Sequence, residues 1–304
     1  MTAGIARAQA AWLRLRPNTR GAIWLFLCGA LFACADGLAK LFTRQGFDVF
    51  EIAFVRYLLG LVFVVPVVAA AGWPSLATRR PALHATRATM VAISQVLAYY
   101  ALAHMYVADV TAINFVRPLF IALLAVVFLG ERVDARRWIA TAIGFGGVVV
   151  MARPGGGIGS AALAAVASTA LLGAAMVSVA RYADTETPLR FVFYYHAGGA
   201  LVFLAPVYFV WLTPSAAQWA LFLALALFSV LAQTCAVRAY AVGEASVVGP
   251  VDYLRLIFAA LIGYALFGEV PGAATWIGAA IIVTSALYVA RRGRFGARKV
   301  RQPG

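Results

Sequence analysis

The sequence predicts an all-α integral membrane protein: ten transmembrane helices arranged as two inverted five-helix repeats. Three observations predict this. The 304 residues are 64% hydrophobic and 12% charged, about half the charged share usual in a soluble domain. The apolar residues form continuous runs near the roughly 20 residues that cross a hydrocarbon core of about 30 Å. The two halves of the chain also match one another in a single ungapped register.

The apolar runs fall at about 21–39, 50–72, 87–105, 109–130, 136–152, 159–180, 190–212, 216–238, 245–267 and 272–290. Short turns separate them, among them Gly72-Trp73-Pro74, Pro154-Gly155-Gly156-Gly157, Thr213-Pro214 and Pro271-Gly272. None of these loops holds a soluble domain. The runs do not alternate polar with apolar residues, which excludes a membrane β-barrel. Residues 1–20 carry Arg7, Arg14, Arg16 and Arg20 without an acid or a serine. A Ser-rich transit peptide does not fit this stretch, nor does a cleaved signal peptide. It reads as a cytoplasmic tail, and 292–304 reads as a second, basic one.

The net charge of +14 suggests nucleic acid until the charges are placed. With the N-terminus in the cytoplasm, the inside segments hold Arg7, Arg14, Arg16, Arg20, Arg79, Arg80, Arg87, Arg132, Arg136, Arg137, Arg181, Arg190, Arg238, Arg291, Arg292, Arg294, Arg298, Lys299 and Arg301. That is 19 of the 25 basic residues. Lys40, Arg44 and Arg153 lie outside, and Arg56, Arg117 and Arg255 lie within spans. Positive charge gathers on the cytoplasmic side of membrane proteins, so the charge reports topology and no nucleic-acid partner is expected. Both termini are expected inside a bacterial-type inner membrane.

Shifting the chain by 138 residues lays Arg117 on Arg255, Ala122-Leu123 on Ala260-Leu261 and Gly130-Glu131 on Gly268-Glu269. It also lays Trp138-Ile139 on Trp276-Ile277 and Ala152-Arg153 on Ala290-Arg291. Chance alignment of apolar helices does not explain Arg, Trp and Gly-Glu matching together. Five helices per half is an odd number, so the second half (154–291) enters from the opposite face to the first (21–153). Inverted repeats of this kind build many secondary transporters.

Ala101–Pro154 resembles the first EamA repeat of the drug/metabolite transporter superfamily, and Ala239–Arg291 resembles the second. The resemblance covers residues 21 to 291 and implies a 5+5 transporter of a small metabolite. Pro118–Phe120 and Leu129–Arg132 are similar to the branch of S-adenosylmethionine and riboflavin carriers. The second half departs in detail, with Asp252-Tyr253 for Asn114-Phe115 and Leu256 for Pro118.

The charges inside the spans are the candidate substrate-binding residues. Arg117 lies roughly 12 Å and Arg255 roughly 15 Å along their helices, from opposite faces. A charge at such depth costs about 2.5–3.5 kcal/mol or more, and it normally faces protein or a water cavity. Asp252, three residues before Arg255, is expected to pair with it. Asn114 holds the matching place before Arg117, which makes Arg117 the expected anion-binding group. Arg56 lies shallow enough to snorkel outward, and serves either a gate or the substrate on one reading, or the structure on the other. Asp36 and Lys40 are expected to pair at i,i+4, with proton coupling through Asp36 as the alternative. Tyr99 and Tyr253, with Tyr100, Phe115, Tyr194, Tyr195 and Trp24, line a cavity or pack against lipid and core. Glu131 and Glu269 suit the positive end of the helix that follows each.

The sequence offers little to an enzyme. His104 and Asp109 form an HxxxxD pattern with no partner motif, and Cys28, Cys34, Cys235, His84 and His196 lack metal-ligand spacing. No P-loop motif is present, and the lysines are Lys40 and Lys299 alone, so no nucleotide is hydrolysed by that route. No cofactor or metal is expected. A secondary transporter working by alternating access, driven by a proton or sodium gradient, is the leading reading. A membrane-embedded enzyme and a non-transporting scaffold are the alternatives. Substrate, direction and coupling ion stay open, as does a homodimer.

Overall fold

The structure is a computed structural model. It describes residue 12 and residues 15–117, 119–121, 123–124, 135–152, 159–182, 186–242 and 249–300. Ten α-helices lie among them: α1 (Pro17–Arg44), α2 (Val49–Ala71), α3 (Pro81–His104), α4 (Val107–Asn114), α5 (Ala135–Ala152), α6 (Ser160–Tyr182), α7 (Pro188–Val210), α8 (Ala216–Val242), α9 (Arg255–Phe267) and α10 (Ala273–Val300). Among the described residues, four segments are long and apolar enough to cross a bilayer on their own: Pro17–Arg44, Val49–Ala71, Leu189–Val210 and Ala216–Ala236. The outer surface is apolar, with Leu201, Tyr208 and Phe209 70–83% exposed. Such a face suits lipid rather than water.

The helix contacts show the inverted repeat. α1 packs on α8, and its counterpart α6 packs on α3; α1 packs on α9, and α6 on α4. The central pairs α2–α7, α4–α9 and α5–α10 each join a helix to its own counterpart. The halves therefore interlock, and one apolar core runs through both, from Tyr57 and Leu119 to Phe222 and Ile282.

The crossing of α2 and α7 lies on the pseudo-twofold axis. Both helices have 23 residues and begin at a side-chain cap, Asp48 for α2 and Thr187 for α7. Such caps satisfy amide protons that have no partner inside the helix. Counting from the caps, Gly60 corresponds to Gly199 and Tyr57 to His196. Gly60 abuts the His196 ring, while a Cβ on Gly199 would lie 2.6 Å from the Tyr57 ring. Each glycine thus receives the partner of the other, the reciprocity a twofold contact requires.

The fourth span of each repeat is broken, contrary to the continuous helices expected. α4 ends at Asn114, and turn residues Phe115 and Val116 precede Arg117. In the second half Gly249–Leu254 is a 3-10 helix, and α9 begins only at Arg255. Pro250 suits such a turn because it lacks a backbone N–H. Both arginines therefore stand just beyond a helix break, and broken helices recur where transporters bind substrate.

Candidate functional site

Arg255 lies against one face of α1. A Cβ on Gly29 would come within 3.3 Å of Arg255 Cβ, so this glycine lets the backbones approach. The guanidinium then passes over the Phe32 ring at 4.8 Å and reaches Asp36 at 2.5 Å. Gly29, Phe32 and Asp36 are spaced by three and four residues, which is one helical stripe. Asp252 was expected to be the partner; the structure gives that place to Asp36. Asp252 lies in the 3-10 turn that precedes the α-helix beginning at Arg255.

Lys40 continues the same stripe. It pairs with Glu269 and donates to the Met105 carbonyl, not to Asp36 as the i,i+4 spacing suggested. Lys40 is 2% exposed and Glu269 5%. Glu269 also accepts from the Val107 amide at 2.9 Å. It therefore serves a helix N-terminus, but that of α4 rather than of the helix following it. Asp109 accepts from the Thr275 hydroxyl at 2.5 Å. These contacts tie α1, the α3–α4 hairpin and the α9–α10 loop together at one end of the bundle. Glu131 lies outside the described residues.

At the opposite end Glu186 plays a similar part. It accepts from Thr78 at 2.6 Å and faces His84 at 3.3 Å and Arg190 at 3.4 Å. Arg190 donates to the Ser75 carbonyl and Tyr194 to the Leu76 carbonyl, at 2.8 and 3.0 Å. Burial raises the affinity of the Glu186 carboxyl for a proton. The Thr78 and His84 hydrogen bonds and the nearby positive charges outweigh it and hold the carboxyl below its ordinary value.

Arg56 forms a third cluster, deep between the repeats. It does not snorkel: the residue is 8% exposed. Its Nε donates to Ser229 at 3.1 Å, one terminal nitrogen donates to Gln95, and the other to Tyr195 at 2.9 Å. The guanidinium stands 5.4 Å from the Tyr57 ring centre, and Tyr99 closes the ring of partners. These groups come from α2, α3, α7 and α8, and every one is neutral. Among the described residues no carboxylate lies within ion-pair distance of Arg56. Counted from the caps, Arg56 and Tyr195 are themselves counterparts, so their hydrogen bond lies on the pseudo-twofold axis.

The remaining expected residues gather near the helix breaks. Asn114 accepts from the Thr169 hydroxyl at 2.9 Å, and Tyr253 meets Phe115 edge-on at 4.9 Å. The Arg117 carbonyl faces Gly173 of α6. His104 and Asp109 do not form a pair; His104 bonds to the Tyr100 carbonyl of its own helix. Ser229 carries no signal as a lone polar residue in an apolar run, and Gln95 none as half of a short Ser94-Gln95 pair in another. Tyr195 and His196 were visible only as an aromatic pair and an isolated histidine.

The model of the EamA-like transporter family matches this chain twice, over residues 19–153 and 159–291. A riboflavin transporter of Rhizobium johnstonii is 32% identical over 89% of this chain and 91% of its own length. An S-adenosylmethionine uptake transporter of Rickettsia prowazekii is 29% identical, over 90% of this chain and 94% of its own. A riboflavin transporter of Vibrio cholerae is 29% identical, over 89% and 92%. A solved crystal structure matches with a TM-score of 0.62 over 95% of this chain and all of its own, at 19% identity, a likeness of fold alone. With two family repeats filling most of its length, this multi-pass membrane chain belongs to the EamA-like transporter family.

Proposed function

We propose that the chain is a secondary transporter of a small organic metabolite, which it moves by alternating access through the interface between its repeats. Arg56 anchors the substrate. Tyr99 lies beside it, and Arg117, Asn114, Asp252, Tyr253 and Arg255 line the approach from the helix breaks. The observation that carries this reading is a buried guanidinium, held by both repeats, whose partners are all neutral. Burying an ion costs several kcal/mol, and neutral partners lower that cost without cancelling the charge. A substrate that presents an anion or a dense set of carbonyl acceptors completes the site.

Charge also ranks the substrates named for the relatives. Among the described residues, Arg255 is paired with Asp36 while Arg56 has only neutral partners, so the Arg56 charge is left in excess at the centre. An excess of positive charge disfavours the sulfonium of S-adenosylmethionine and favours an acceptor-rich, planar molecule such as riboflavin. With no P-loop in the sequence, an ion or substrate gradient supplies the energy. The distribution of basic residues supports an orientation with the Lys40 end outside and both termini in the cytoplasm. The test is uptake by the purified protein in liposomes without ATP, offering radiolabelled riboflavin and S-adenosylmethionine under imposed proton and sodium gradients. Saturable riboflavin uptake that exceeds S-adenosylmethionine uptake supports the reading. Uptake of neither overturns it.

A further inference from the structure

The two repeats are not equally packed. In the first, α1 packs on α3 and α2 packs on α3. The corresponding pairs in the second, α6 with α8 and α7 with α8, show no comparable contact among the described residues. The Lys40 end is closed, by the Lys40 contact to Met105 within the first repeat and by its ion pair with Glu269 of the second. In an inverted-repeat protein the opposite state arises when the repeats exchange conformations. Every contact peculiar to one repeat here then has a counterpart that forms there.

One such contact lies at the axis. Gln95 of α3, half-buried, accepts from Arg56 of α2. Shifted by 138 residues, Gln95 falls on Gln233 of α8, and Ala88, Ala98, Ala101 and Ala103 fall on Ala226, Ala236, Ala239 and Ala241. Gln233 is half-buried too. Counted from the helix caps, Asp48 and Thr187, where the offset is one residue longer, the counterpart of Arg56 is Tyr195, already its hydrogen-bond partner. Exchanging the repeats therefore draws α8 onto α7 and carries Gln233 to Tyr195, while α3 draws Gln95 away from Arg56.

We propose that Gln95 and Gln233 are alternating positioning residues: each in turn holds the Arg56–Tyr195 pair, Gln95 in the state seen here and Gln233 in the opposite one. The proposal rests on the alternating-access reading and adds residues that it does not assign. The pair never leaves the axis, so substrate anchored on Arg56 meets a glutamine from the first repeat in one state and from the second in the other. A glutamine offers both an acceptor for the guanidinium and a donor for the tyrosine oxygen, which lets the same residue type serve either member of the pair.

The test is hydrogen exchange, read by mass spectrometry, on the full chain in lipid nanodiscs, following the amides of residues 105–109 at the Lys40 end. Gln95→Ala removes a contact of the present state and is expected to raise exchange there by about fivefold, the population change that one ordinary hydrogen bond produces. Gln233→Ala removes a contact of the opposite state and is expected to lower exchange by a similar factor. The double variant returns toward the parent. Gln95→Leu and Gln233→Leu, closer in volume, repeat the comparison should an alanine variant purify poorly. Shifts of the same sign, or a silent Gln233 variant, overturn the proposal, because a merely structural glutamine destabilises without choosing a direction. The readout needs no substrate. A failure of riboflavin uptake therefore counts against the transport reading, while the exchange data still decide the glutamines.

Discussion

Arg56 and Arg255 carry the same charge at nearly the same burial, 8% and 9% exposed, and the protein treats them differently. Arg255 has a carboxylate, Asp36, at 2.5 Å and an aromatic ring beneath it. Arg56 has a serine, a glutamine and a tyrosine. The first charge is neutralised within the chain and joins α1 to α9 across the repeats. The second remains uncompensated at the pseudo-twofold axis, where both repeats touch it. Burial alone does not identify a binding arginine; the chemistry of its partners separates a joint from an anchor.

Substituting both arginines breaks this comparison most directly. Arg255→Met strands Asp36 as a partly buried, unpaired carboxylate, and losing one partner of a fully buried pair costs about 3–5 kcal/mol, which sets the upper bound here. Asp36→Asn on that background is expected to restore part of the loss. Arg56→Met strands only neutral groups and is expected to cost less, about 1–3 kcal/mol. Thermal or chemical unfolding of the purified variants in detergent gives the order. Equal losses would mean that the two sites do not differ as described.

The α2–α7 crossing allows a sharper version. Gly199→Ala drives a methyl group into the buried Tyr57 ring, and overpacking of this kind costs about 1–3 kcal/mol. Gly60→Ala meets the His196 ring and is expected to cost a similar amount, since the two contacts are counterparts. Gly146 has open space around it, so Gly146→Ala serves as the control with little change in melting temperature. A marked difference between Gly60 and Gly199 would show that the axis does not pass through this crossing.

The smallest effect concerns the end opposite Lys40. The Glu186 carboxyl is held below its ordinary value by Thr78, His84 and Arg190, so its folded form binds a proton less readily than the unfolded chain does. The stability it contributes is present above the unfolded carboxylate value of about 4.3 and is lost as pH falls below it. Melting temperature is expected to drop with acidification in that range, and Glu186→Gln is expected to drop less. A parallel fall in both proteins would remove Glu186 from this role.

Much of the architecture was legible in the sequence, because apolar run length and the repeat register are properties of one dimension. The partners of the charges were not. Asp252 and Lys40 stand at helical spacing from Arg255 and Asp36, and local spacing suggested local pairs. The structure instead joins Asp36 to Arg255 and Lys40 to Glu269, 219 and 229 residues apart, because the stripe Gly29, Phe32, Asp36 and Lys40 faces α9 and its following loop. The Gly29 contact, which brings α9 close enough for this, carries no local signal. Arg56 was recognised as a charge within a span, yet its depth along α2 could not reveal that α3, α7 and α8 cover it. Gln95 and Ser229 gain meaning only from the guanidinium they meet. The helix breaks before Arg117 and Arg255 were marked by Pro118 and Pro250, in runs otherwise apolar enough to read as continuous.

The central claim is that Arg56 anchors the substrate. It is tested most directly by riboflavin binding to the purified protein, read by quenching of flavin fluorescence, with Arg56→Lys beside the parent. Lysine keeps the charge but lacks the planar fork of donors that guanidinium offers. The account predicts that Arg56→Lys weakens binding by about tenfold or more, the equivalent of about 1.4 kcal/mol, while the protein still purifies as a folded species. Affinity equal to that of the parent would contradict it and would make Arg56 a structural tie among four helices.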